Sequence, residues 1–370
     1  MGLGLLVVAV IWHPLSAPAQ PLPEDLDALL PTWTPLYTIK TGLGYRDNVL
    51  YSDANRQESA FVQAGLELFL SRYPDEWGTM DFFLSFEDNH YLESIDVDRE
   101  QLGFAQFRWL WELDDENQAE WITEYIYQDQ VLDVSVTEAD LSILQVTGHT
   151  LASLLGLRWD FDPDRWWVKV QLPVERQWFE PPLDDFTEFG TRVVLGRDYG
   201  HRSDLQFRYD FNPRAYDTDP ALAADGTPVA GTSRFFIQQE ARLVWRHHWD
   251  ASARWRSTTR LSYKRNEDDY AGYFDFNRYG ASHEVRFREG AWEVRLEAGA
   301  LAYRYDVQKS SPPDNDPRRR EEWVVRLNVE WALTGWLRAY GLAEQEQTLS
   351  NVDLEDYTIH TGVAGLLWEF

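Results

Sequence analysis

The stretch YTIHTGVAGLLWEF, Tyr357 to Phe370, decides how this chain folds. Gly362, Ala364, Leu366, Trp368 and Phe370 fall on one face of a period-two pattern, as they do when successive side chains point to opposite faces of a strand. Working backwards, the same alternation recurs in segments of about 9 to 13 residues, about sixteen in all. They begin near Leu36, Ala60, Thr79, Gln101, Ala119, Thr150, Trp166, Phe186, Leu205, Arg234, Arg254, Arg278, Trp292, Trp323, Trp336 and Tyr357.

The connections alternate as well. Tyr73–Trp77, Leu113–Gln118, Asp160–Arg165, Arg197–Asp204, His248–Ala253, Arg288–Ala291 and Leu333–Gly335 are short. Gln128–His149, Asp210–Ser233, Asp306–Glu322 and Glu344–Asp356 are long and rich in Asp, Asn, Pro and Gly. Trp111 and Trp121, Trp159 and Trp166, Trp249 and Trp255, and Trp331 and Trp336 bracket short connections, as an aromatic girdle at one membrane interface would. The expected fold class is all-β, an antiparallel transmembrane β-barrel of about 16 strands, with 14 or 18 as alternatives.

Composition agrees with that class. The chain has 370 residues, no cysteine, 18 tryptophans and an aromatic fraction of 15%, at a mean hydropathy of only -0.48. Lipid-facing apolar and inward polar residues that alternate average out in this way. The formal charge of -28 excludes a basic nucleic-acid interface, so no nucleic acid is expected as a partner. Leu3–Trp12 is apolar but too short to span a bilayer as a helix, and Ala17-Pro18-Ala19 follows it. The expected division is a cleaved signal peptide over 1–19, a Pro-rich periplasmic lead over 20–35 and the barrel over 36–370.

Taken together, the closing strand, the leader and the alternating loop lengths resemble those of outer-membrane porins of Gram-negative bacteria. Leu366, Trp368 and Phe370 resemble the signal read by the barrel-assembly machinery. The resemblance implies residence in the cell outer membrane among outer-membrane lipid and lipopolysaccharide, and assembly as a homotrimer. Gly44-Tyr45-Arg46-Asp47-Asn48-Val49 is similar to the first-strand exit of porin-like barrels, some of them encoded with polysaccharide-export systems. The same residues also read simply as turn chemistry.

Alternation assigns the faces. Trp323, Val325, Leu327, Val329 and Trp331 point one way, and Arg326, Asn328 and Glu330 the other. An arginine facing mid-bilayer lipid costs about 2 to 4 kcal/mol, so the apolar face is outside. Carried along the chain, this puts Arg192, Arg208, Arg242, Arg246, Arg256, Arg260, Lys264, Arg286, Arg295 and Arg326 on the inner face of the later strands, and Glu67, Asp81, Glu120 and Glu124 on that of the earlier ones. Strands eight apart face each other across such a barrel, so a basic wall would oppose an acidic one. Glu240, Glu284, Glu293, Glu297 and Glu330 also lie on the later strands, and pairing with the arginines is the alternative. In general porins the third outer loop folds inward. Here the Gln128–His149 connection carries Asp133, Glu138 and Asp140 between apolar runs, and it either constricts the lumen or extends two long strands above the membrane.

Enzyme signatures are weak. His201-Arg202-Ser203 falls in a short turn, Asp88-Asn89-His90 is a single rim cluster, and His247-His248 point to opposite faces and cannot chelate together. No catalytic residue, metal or cofactor is expected. The expected function is passive diffusion of small hydrophilic solutes. A polysaccharide-export-associated, adhesion or structural barrel with a closed or gated lumen is the alternative.

Overall fold

The computed structural model describes residues 33–370 except 54, 76–77, 95, 137–142, 163–164, 311–315 and 353–354. The expected leader and most of the lead, like Glu138 and Asp140, lie outside the described residues. The described chain is all β: β1 (Trp33–Arg46), β2 (Ser59–Asp75), β3 (Gly78–Tyr91), β4 (Arg99–Glu112), β5 (Asn117–Asp133), β6 (Ile143–Asp162), β7 (Trp166–Phe179), β8 (Phe186–Phe189), β9 (Thr191–Tyr199), β10 (Ser203–Tyr216), β11 (Phe235–His248), β12 (Trp255–Asp268), β13 (Phe276–Glu289), β14 (Trp292–Lys309), β15 (Pro317–Ala332), β16 (Leu337–Ser350) and β17 (Tyr357–Glu369).

Each strand pairs antiparallel with its chain neighbours, and β17 pairs with β1 from Thr38↔Glu369 to Arg46↔Thr361. Phe370 completes the seam: its N–H donates to the Tyr37 carbonyl at 2.9 Å, and its own carbonyl accepts from Tyr37 at 3.1 Å. β8 and β9 are one wall strand, because both pair with β7 and with β10 in continuous register. The ladder breaks at Gly190, opposite Pro173, which has no N–H to give. A Cβ at Gly190 would meet Asn212 Oδ1 at 2.1 Å. The result is a closed barrel of sixteen strands.

Strand starts match the expected ones within a few residues, with two exceptions. β6 begins at Ile143 rather than near Thr150, and β15 at Pro317 rather than near Trp323. Both belong to the long-loop end, where strands run on beyond the outward apolar belt. That belt is continuous, with Leu43, Val62, Leu155, Leu172, Phe207, Leu261, Leu296 and Leu327 all exposed on the outer face. At the short-turn end it finishes in tryptophans, among them Trp249, Trp255 and Trp336. Trp292 and Trp331 stack there with centroids 5.4 Å apart.

The core lies inside the barrel at the long-loop end. Inward aromatics at the strand ends pack against connections that fold back into the mouth. Val49 of the β1–β2 connection, Val97 of the β3–β4 connection and Val131 of β5 meet Phe61, Tyr91 and Val363. Leu222 of the β10–β11 connection covers Phe186, Tyr216, Phe236 and Phe274. Phe61 lies over Gly44, where an added Cβ would come within 2.2 Å of its ring.

Candidate lumen site

The sequence leaves the Gln128–His149 connection as either a constriction or an extension of two strands, and β5 and β6 do extend into it, to Asp133 and from Ile143. The strands of this hairpin pair as far as Asp133↔Ile143, and Ser135 and Val136 beyond the pairing meet side chains of the opposite wall. Arg320 on β15, seven wall strands away, pairs with Asp133 at 2.7 Å, and both side chains are buried. Arg320 also donates to Ser135 Oγ at 2.6 Å, while Arg318 donates to the Ser135 carbonyl at 2.9 Å and pairs with Glu355 at 2.7 Å. Val136 packs on Phe276, Tyr303 and Tyr305 of the far wall, and Val134 on Val146 and Leu183 of the near one. Removing one partner of such a buried pair costs about 3–5 kcal/mol, so the tip is firmly held. Together with the aromatic clusters it forms a roof over the lumen.

Below the roof the inner face is polar. Arg192, Arg208, Arg242, Arg246, Arg256, Arg260, Lys264, Arg286, Arg295 and Arg326 all lie on it, on the opposite parity to the exposed apolar residues of their strands. The arginines among them do not stand bare. Arg246 pairs with Asp204 at 2.8 Å, Arg256 with Glu284 at 2.9 Å, Arg260 with Glu297 at 3.8 Å, and Arg326 with Glu344.

In three places one carboxylate serves two guanidiniums. Asp210 lies between Arg192 at 2.6 Å and Arg208 at 2.5 Å, Glu240 between Arg242 at 2.8 Å and Arg278 at 3.2 Å, and Glu293 between Arg286 at 2.8 Å and Arg295 at 2.9 Å. All these residues share one face: Arg192 stands directly across from Asp210 with Arg208 two positions along, whereas Arg278 is two strands from Glu240 and Arg286 is diagonal to Glu293. Each group of three keeps a net positive charge, less than a bare wall would carry and more than a fully paired one.

Across the barrel the balance reverses. From β2 to β5 the inner face carries Glu67, Asp81, Glu87, Glu100, Glu120 and Glu124 against Arg108. Asp81 accepts from Ser71 at 2.7 Å, Glu124 from Gln106 at 2.6 Å, and Glu120 from Lys169 at 3.0 Å and Gln171 at 2.6 Å. These acids are held by neutral donors or by bases two or three strands away.

Outside the strands, Asp217 is held below the usual carboxylate range by two hydrogen bonds from Arg176, each 2.7 Å. Burial acts to raise the Asp47 carboxyl, but hydrogen bonds from the backbone and ring of His360, with Arg56 beside it, hold it below that range.

Sequence reasoning missed the residues that build the roof. Arg46 pairs with Glu100 at 2.8 Å, Tyr91 donates to the same carboxylate at 2.6 Å, and Asn48 is fully buried, donating to the Thr358 carbonyl at 3.2 Å. The Gly44–Val49 exit is thus a turn that folds inward. The signal that could have located Arg318 and Arg320 is the basic run Arg318-Arg319-Arg320, which lies inside the expected connection Asp306–Glu322 and next to an expected strand. Among the other clusters, His247 faces outward against Trp249 and His248 lies on the inner face. Among the described residues no group of three His, Asp or Glu is placed to hold a metal ion.

No family model matches the chain, and no curated protein matches it in sequence. Solved structures do. OccAB1 of Acinetobacter baumannii is 8% identical with a TM-score of 0.48, over 91% of this chain and 97% of that one. An anion-selective porin from Comamonas acidovorans is 9% identical with a TM-score of 0.46, over 91% and 99%. A bacterial polysaccharide outer membrane secretin is 12% identical with a TM-score of 0.44, over 91% and 98%. The architecture here is a porin-like barrel, as its own strand count, closure and loop asymmetry define it.

Proposed function

We propose that this protein is an outer-membrane channel for small hydrophilic solutes, exported with a cleaved leader, whose selectivity comes from a lumen polarised across its width. One observation carries the reading: an outward belt of apolar side chains encloses an inner face of charged ones, with under-neutralised arginines on β9–β14 facing carboxylates on β2–β5. Buried charge on this scale is sustained by water or by solute, and barrels of this strand number leave an aqueous channel. The facing rows orient dipolar solutes and concentrate anions along one side.

The roof favours a second reading, a gated lumen of the kind an export, adhesion or structural barrel would have. The hairpin latch to Arg318 and Arg320 is the observation behind it. Single-channel recording of the refolded chain in a planar bilayer, with reversal potential under a salt gradient, separates the two. A channel gives stable ohmic steps with anion preference. Silence from a folded, heat-modifiable barrel rejects passive diffusion in favour of the gated reading.

A further inference from the structure

Lys264 stands apart from the other inward bases. Its side chain is buried, and among the described residues no carboxylate lies within ion-pair distance of its ammonium. The one hydrogen bond that ammonium makes is to the Gln238 Oε1 atom, at 2.8 Å. Glu240 lies directly opposite in register, but its Oε1 is taken by Arg242 and Arg278, and Arg278 is itself the cross-strand neighbour of Lys264 on the other side. Buried donors are left over at the same place, namely Gln238 Nε2 and Arg278 Nε.

Like charges directly opposed across a sheet repel, and a buried ammonium with no ion-pair partner of its own is strongly disfavoured. A trapped water would satisfy the spare donors but not the charge. An oxyanion satisfies both, since its oxygens accept from the ammonium, the amide and the guanidinium edge while its charge offsets the excess around Glu240.

We propose that Lys264, Gln238 and Arg278 form a lumenal binding site for a small oxyanion, the carboxylate or phosphate group of a solute. The site lies on the wall just beneath the aromatic roof, where Phe276 stands two positions before Arg278 and Tyr303 faces it. The inference rests on the channel reading for its purpose and on the local charge for its existence. A solute arriving through the polar lower lumen would pause here, below the hairpin.

Isothermal titration of the refolded chain with sodium acetate, and separately with inorganic phosphate, at constant ionic strength tests binding without requiring conduction. The expected result is saturable binding of at least one probe. It weakens by about tenfold or more in Lys264→Gln, because a charged hydrogen bond is lost, and is retained in Lys264→Arg. Binding of acetate alone assigns the site to carboxylates, and of phosphate alone to phosphates. No saturable binding of either probe, or unchanged binding in a heat-modifiable Lys264→Gln barrel, overturns the proposal. Binding that persists in a barrel silent in bilayers supports the site and rejects the channel reading, so the two fail separately.

Discussion

The two halves of the lumen solve the same problem by opposite means. Towards the short turns the interior is filled by charge, with most inward arginines given a carboxylate and several carboxylates shared. Towards the long loops it is filled by rings, with Phe61, Phe186, Phe236, Phe274 and Phe276 buried under connections that fold inward. A polar wall stays compatible with water and passing solute, whereas an apolar wall must be covered or it collapses onto itself. The difference teaches that one barrel wall can be built two ways, open and polar where it stays wet, apolar where connections fold in to cover it.

The sharpest way to break that division is to remove the hairpin tip. On the channel reading, deleting 134–142 should raise single-channel conductance by about twofold or more, because Ser135 and Val136 would no longer reach across the barrel interior. Unchanged conductance would mean that access is limited elsewhere.

A smaller effect follows from cutting only the latch. Arg320→Met leaves Asp133 buried without its counter-charge, a loss of about 3–5 kcal/mol in docking of the tip. The expected signs are flickering open-channel current and new protease cleavage near Ser135 in a barrel that still closes. Adding Asp133→Asn should restore much of the quiet state. If the single variant stays silent to both measurements, the apolar contacts of Val134 and Val136 hold the tip alone.

The least disruptive test concerns the shared carboxylates. Asp210→Asn frees Arg192 and Arg208 from their common partner, and reversal potentials should move towards anions by roughly a twofold change in permeability ratio. A shift towards cations would show that these arginines do not face the conducting path.

Much of this was legible beforehand, for a physical reason. Where a strand has lipid on one side and water on the other, its side chains must alternate, and Trp323 to Trp331 can be read directly. The hairpin breaks the rule because both its faces are covered. Ile143, Leu144 and Val146 form a nearly continuous apolar run, which marks a strand buried on both sides as well as a loop tucked against a wall. The sharing of Asp210, Glu240 and Glu293 was hidden for another reason. It depends on which residue of one strand stands opposite which of the next, and alternation fixes the face but not the register. The aromatic roof was equally hidden, since Phe236 and Phe276 look like ordinary strand ends until Leu222 and Val136 are seen to cover them.

The seam between β1 and β17 has a consequence in time. The two strands that join there lie at opposite ends of the described sequence, with Tyr37 meeting Phe370, so every other pairing can form while the ring is still open. Throughout that interval the sheet has two raw edges, each a row of unspent N–H and C=O groups that any other strand could capture, and in hydrocarbon nothing else can quiet them. Contacts between such distant segments also form slowly. The molecule is therefore most vulnerable just before it is finished, and whatever shelters it must hold both edges until they find each other.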